Sequence, residues 1–100
     1  MEEYKVIISP AAQNDLLDIS DHLNTLDPEE AEKHFDLFME KMSVLAKTPE
    51  ICPLARDTQL RLRRYRVLPA EDHIVFYVIT GKTVELRRII YARRQYERLV

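Results

Sequence analysis

The single glycine of the chain, Gly81, lies between two apolar, β-branched runs, and no other feature constrains the fold as much. Ile74-Val75-Phe76-Tyr77-Val78-Ile79 precedes it, and Thr83-Val84-Glu85-Leu86-Arg87-Arg88-Ile89-Ile90-Tyr91 follows Thr80-Gly81-Lys82. A strand, a tight turn around glycine and a second strand predict a β-hairpin. Arginines crowd the stretch from Leu60 to Arg94, on both sides of the hairpin and inside its second strand. A sheet carrying clustered arginines is a ready anion surface, and the rest of the chain reads as its scaffold.

One hundred residues allow one domain, spanning 1–100, with one modest core. The 46% hydrophobic fraction is ordinary for a globular domain. No apolar run approaches the roughly 20 residues of a membrane helix. The first residues, MEEYKVIIS, are acidic where an export signal is basic, so no such signal is expected. The lone Cys52 cannot form an internal disulfide and fits a reducing cytoplasm. It also excludes a cysteine-based zinc site. No metal spacing links His22, His34 and His73, and no cofactor is predicted.

The net charge of −2 hides an asymmetry. Residues 1–50 carry four Lys/Arg and twelve Asp/Glu, a net of −8; residues 51–100 carry eleven and five, a net of +6. Ten of those eleven cations are arginine, which suits planar, bidentate recognition of phosphate or carboxylate. The competing reading is that acidic helices and a basic sheet balance one another across the surface.

Tyr4 to Ile8 is short and β-rich, a first strand. Ser9-Pro10 then starts a helix, with serine as cap and proline in the first turn. Ala12, Leu16, Ile19 and Leu23 recur at helical spacing over about Pro10 to Leu23, with Asp15, Asp18 and Asp21 facing away. After the connection Asn24-Thr25-Leu26, Asp27-Pro28-Glu29-Glu30 is a second helix start. The stripe Ala31, Phe35, Phe38, Met42 and Leu45 carries that helix from Pro28 to Lys47, before Thr48-Pro49. Phe35 and Phe38 read as core. A short link between two amphipathic helices implies an antiparallel pair. Pro49 to Asp57 reads as loop, Leu60 to Arg64 is ambiguous, Tyr65 to Leu68 is a strand ending near Pro69, and Arg93 to Val100 is a terminal helical turn.

The predicted fold is therefore α+β in the order β-α-α-β-β-β. A helix hairpin packs on one face of a small, mostly antiparallel sheet, the first strand pairing in parallel with a later one. The other face or its rim is left to display arginines.

The chain resembles toxins of the RelE/ParE superfamily from bacterial type II toxin–antitoxin pairs. The resemblance rests on Tyr4-Lys5-Val6 with Ser9-Pro10-Ala11, on Asp15-Leu16 with Ile19, on Ala31, and on Leu45 with Pro49. Its most specific part is Tyr65-Arg66-Val67 leading to His73, Val75 and Tyr77, then Val84, Leu86, Arg88-Ile89-Ile90-Tyr91 and Arg94. It covers nearly the whole chain, and order and spacing carry it rather than any single piece. Two departures stand out. Arg63 and Arg64 occupy a region where a glycine often stands, and a frequent Arg-Asp pair is here Arg94-Gln95.

The resemblance implies two activities on one scaffold. RelE-like members cut mRNA in the ribosomal A site, whereas ParE-like members poison DNA gyrase and are not nucleases. In the nuclease reading, Arg66 and Arg94 match positions of catalytic or phosphate-binding cations. Tyr91 then falls where relatives place an acid/base residue. None of Glu50, Glu71, Asp72 or His73 is compelling as the general base. In the gyrase reading, Arg63, Arg64, Arg66, Arg88, Arg93, Arg94 and Tyr96 form a surface for target or antitoxin. Some of the candidates have a plainer role beside the functional one. Arg88 alternates with Leu86 and Ile90, which suits a structural arginine within the helix layer. Tyr91 suits a rim aromatic, Tyr96 an anchor for the terminal turn, and His73 a turn or core histidine.

The long, acidic helix hairpin favours the ParE-like reading, because its charge opposes entry into a phosphate-rich ribosome. Both readings imply a cognate antitoxin, encoded alongside, whose acidic and partly disordered segment folds onto the basic sheet in a toxin–antitoxin hetero-oligomer. A third reading is an inactive, toxin-like binding module.

Overall fold

The computed structural model describes residues 3–70 and 73–91, with the side chains of 22–26 left aside. The described chain runs β1 (Lys5–Ile8), α1 (Pro10–Leu26), α2 (Pro28–Lys47), a 3₁₀ turn (Pro49–Ile51), α3 (Thr58–Leu62), β2 (Arg66–Ala70), β3 (His73–Thr80) and β4 (Thr83–Tyr91). The sheet order is β1-β4-β3-β2. β1 lies parallel to β4, Lys5 opposite Thr83, while β3 is antiparallel to both β2 and β4. None of the described helices is long and apolar enough to cross a membrane.

The hairpin predicted around Gly81 joins β3 and β4 with Thr80 opposite Thr83. Gly81 has φ +60° and Lys82 does not share the positive φ, so the two-residue turn is of the II′ kind, with glycine first. Ser9 caps α1 through its Oγ, which accepts from the Ala12 N–H at 3.2 Å. α1 continues through Asn24-Thr25-Leu26, three residues past the expected end. Nothing in those residues stops a helix; the stop is Asp27, extended at φ −163° because proline follows. Asp27 then caps α2 by accepting from the Glu29 N–H at 3.0 Å.

α1 and α2 cover one face of the sheet. Ala12, Met42 and Leu45 meet Leu68, Val75, Tyr77, Val84, Leu86 and Ile89, all buried. Phe35 departs from its expected core place: it is 63% exposed, while Phe38 packs against the core.

The opposite face is not left open. The ambiguous stretch before Arg64 is α3, and its Leu60 is 1% exposed. Leu60 packs with Ala55, Phe76 and Ile90 in a second, smaller core flanked by Tyr65, Val67 and Ile74. Asp57 caps α3 by accepting from the Leu60 N–H at 3.1 Å. At its other end the Arg64 N–H bonds the Arg61 carbonyl at 2.9 Å, and the Tyr65 N–H bonds the Leu60 carbonyl at 3.0 Å. That pair of bonds is a Schellman closure, and its left-handed position is Arg64, at φ +62°. The loop before α3 is tied to β2 by a bridge between Leu54 and Arg66.

Candidate functional site

The strand register decides where the candidate arginines point. Arg66 stands opposite Tyr77, on the helix-covered face. Its Nη1 donates to the Cys52 carbonyl at 2.5 Å and to the Glu50 carbonyl at 3.3 Å. The Tyr77 hydroxyl donates to the Pro49 carbonyl at 2.6 Å. The two side chains thus hold three carbonyls of one short loop, a loop too irregular to satisfy them itself. Burial of Tyr77 drives its pKa well above the ordinary 10, and contact with Cys52 adds to this while Arg66 opposes it. Tyr77 is therefore a fixed neutral donor, a role that an aromatic in a strand does not announce in sequence.

Arg88 is placed by an irregularity. The β3–β4 register shifts between Phe76 and Tyr77: Tyr77 faces Leu86 but Phe76 faces Arg88, leaving Arg87 as an extra residue. Strict alternation would put Leu86, Arg88 and Ile90 on one face. The bulge breaks it, so Leu86 and Ile89 join the helix-side core and Ile90 joins the other. β1 pairs only as far as Leu86, which leaves the edge of β4 beyond it to α1. There Asp15 accepts from Arg88 Nε at 2.8 Å, from Arg88 Nη2 at 3.1 Å and from the Ile89 N–H at 2.8 Å. Asp15 does not face away from the sheet as its spacing suggests; it closes the β4 edge. Its hydrogen bonds hold the Arg88 pKa above the ordinary value against the effect of burial. The neighbouring Ser9 donates its hydroxyl to the Arg87 carbonyl at 3.0 Å, and Arg87 pairs with Glu85.

Tyr91 faces His73 across the hairpin, their rings edge-on with centroids 5.5 Å apart. It lies at the far end of the sheet from Arg66. Arg66 aligns with Tyr77 and Tyr91 with His73, four residues apart on β3, or about 13 Å along the strand. Buried Leu68, Val75 and Ile89 lie between them on that face. The fold does not bring Arg66 and Tyr91 together around one phosphate. Arg63 and Arg64 are exposed at the end of α3. Arg93, Arg94, Tyr96, Glu71, Asp72, the side chain of His22 and the expected terminal turn lie outside the described residues.

A feature absent from the sequence reading is a groove of about 500 Å³ between the helix pair and the sheet. Leu16, Leu17, Phe35, Phe38 and Met39 line it from the helices, with Ile89 and His73 at its floor. Leu17 is 62% exposed and Met39 49%. The signal for it was present as apolar residues beyond those the core stripe needs, Leu17 and Met39 among them. An open apolar groove walled by helices is the shape that accepts the apolar face of another helix.

Comparisons with known proteins bear on the family and the fold. Residues 6–96 match the family model described as the ParE toxin of the type II toxin–antitoxin system, parDE. No curated protein sequence matches the chain. Eleven chains of solved structures do. One is a chromosomal ParDE toxin–antitoxin system from P. aeruginosa, similar with a TM-score of 0.71 at 22% identity over 88% of this chain and 95% of that one. That likeness shows the shared α+β fold. The family match extends over nearly the whole described domain, from β1 through β4. The chain belongs to the ParE toxin family, and is the toxin half of a type II toxin–antitoxin pair whose partner is a cognate antitoxin.

Proposed function

We propose that the protein poisons DNA gyrase in the cytoplasm and is silenced when its antitoxin lays an apolar helix in the groove between the helix pair and the sheet. The ParE family match over residues 6–96 carries this reading. Two features support it against ribosomal mRNA cleavage. Arg66 already holds loop carbonyls and Arg88 holds Asp15, so both have positions set by the fold. Arg66 and Tyr91 also stand too far apart to act on one phosphodiester. Exposed Leu17, Phe35 and Met39 support the groove as the antitoxin seat, since free solvent is the costlier surrounding for them.

Induced expression without the antitoxin tests the proposal, with growth, mRNA integrity and the DNA-damage response followed together. Growth arrest with a DNA-damage response and intact mRNA is the expected outcome. Rapid cleavage of mRNA at ribosome-positioned sites would overturn it.

A further inference from the structure

The helix-covered face presents the groove; the opposite face presents α3 and the turns on either side of it. In this segment, 56–64, Leu60 is the only residue buried in the core. Arg56, Thr58, Gln59, Arg61, Leu62, Arg63 and Arg64 are all exposed. Leu62 is 75% exposed, more than any other large apolar side chain among the described residues. It stands beside a cluster of arginines, a residue type enriched at protein interfaces, so apolar area and planar donors are offered together.

The charges here are unanswered within the described protein. No described carboxylate lies within ion-pair distance of Arg56, Arg63 or Arg64. Asp57, the one acid of the segment, is turned to the Leu60 N–H as the helix cap. Arg61 is folded back, its Nε donating to the Ala55 carbonyl at 3.1 Å. The backbone adds a second sign. Arg64 occupies the left-handed closing position of α3, where glycine is the relaxed choice. A long cation held in a conformation that disfavours it is expected where the cation has a use.

We propose that segment 56–64, with Leu62 as its apolar anchor and Arg63 and Arg64 as its cations, is the surface that grips an acidic patch on the toxin's protein target. It rests on the reading above only in taking that target to be a protein. A nucleic acid fits the segment poorly. No exposed aromatic is present for base stacking, and Leu62 gains nothing from a phosphate backbone. The surface is separate from the antitoxin groove, because α3 packs on the Phe76 and Ile90 side of the sheet. Antitoxin and target are thereby recognised by opposite faces.

The test compares wild type with the triple variant Leu62→Ser, Arg63→Glu, Arg64→Glu. Growth arrest on induction, inhibition of purified gyrase, affinity for the purified antitoxin and thermal midpoint are measured for both. The expected result is a loss of toxic potency of about tenfold or more, with antitoxin affinity changed by no more than about threefold. The milder pair Arg63→Gln, Arg64→Gly guards against misfolding, because glycine suits the backbone at 64, and it should also lose potency. Undiminished growth arrest by the folded variants would overturn the inference, whatever the target. So would a loss of antitoxin affinity as large as the loss of potency. Wild type that arrests growth but leaves gyrase untouched, with the variants inert, would remove gyrase as the target and keep the α3 surface. Wild type with no effect on growth would overturn both.

Discussion

The two faces of the sheet are covered in opposite ways. On one face, helices of 17 and 20 residues bury Val75, Tyr77, Val84, Leu86 and Ile89 and leave an apolar groove beside them. On the other, a helix of five residues inserts one leucine over Phe76 and Ile90. The thick cover is acidic; the thin one is rich in arginine. Burial on the first face supplies most of the stability, since stabilisation follows apolar area removed from water. The second face needs only enough burial to fix α3 in place, which frees nearly every other side chain of α3 for recognition. One sheet thus separates holding the fold together from presenting charge.

The largest expected effect tests that division of stability. Leu45, fully buried on the sheet-facing side of α2, should cost about 3–4 kcal/mol when replaced by alanine and should lower the global unfolding transition. Leu60→Ala should cost about 2 kcal/mol, at the low end for a buried leucine, because a short surface helix can settle into the space. Hydrogen exchange should then show α3 opening while β3 and β4 stay protected. Equal costs with global unfolding in both would erase the distinction between the faces.

Next comes the edge of β4. Asp15→Ala removes three hydrogen bonds at once and leaves the Ile89 N–H without its acceptor. A destabilisation of about 2–3 kcal/mol is expected in denaturant unfolding. Asp15→Asn, which keeps an acceptor for Ile89, should cost less. If both were silent, Asp15 would not be what closes the edge.

Tyr77→Phe strips the Pro49 carbonyl of its donor and should cost about 1–3 kcal/mol at neutral pH. It should also change the alkaline limb of stability. The pKa of Tyr77 is raised in the folded state, so above about pH 10 the unfolded chain loses a proton that the folded one keeps. The contribution is complete below that pH and declines as pH rises beyond it, by up to about 1.4 kcal/mol per pH unit. The phenylalanine variant should lack that component of the decline, as alkaline denaturation would show. The smallest effect has the opposite sign. Arg64→Gly should stabilise by roughly 0.5–1 kcal/mol, because glycine adopts φ +62° without a Cβ penalty. A loss of stability there would mean that the Arg64 side chain holds the turn itself.

The strong local signals of the sequence were enough for the main frame. Gly81 between β-branched runs, Ser9-Pro10, and Asp27-Pro28 fixed the hairpin and both helix starts, and the order β-α-α-β-β-β held with α3 added. α3 was hidden because it is shorter than two turns and closes on Arg64 rather than glycine, so no stop signal marks it. The bulge at Arg87 was equally hidden, since a one-residue insertion in a partner strand leaves no trace in hydropathy. It moved Arg88 off the expected face and gave Asp15 its role. Site geometry depends on such long-range pairings, Arg66 with the Cys52 carbonyl and Arg88 with Asp15 among them. Composition can supply the arginines without saying which of them the fold has already engaged.

The most direct test of the central claim uses purified toxin, DNA gyrase and supercoiled plasmid, with and without the antitoxin. The expected result is gyrase trapped on cleaved DNA, abolished by stoichiometric antitoxin. Gyrase unaffected at high toxin excess, with mRNA cut on translating ribosomes under matched conditions, would contradict it.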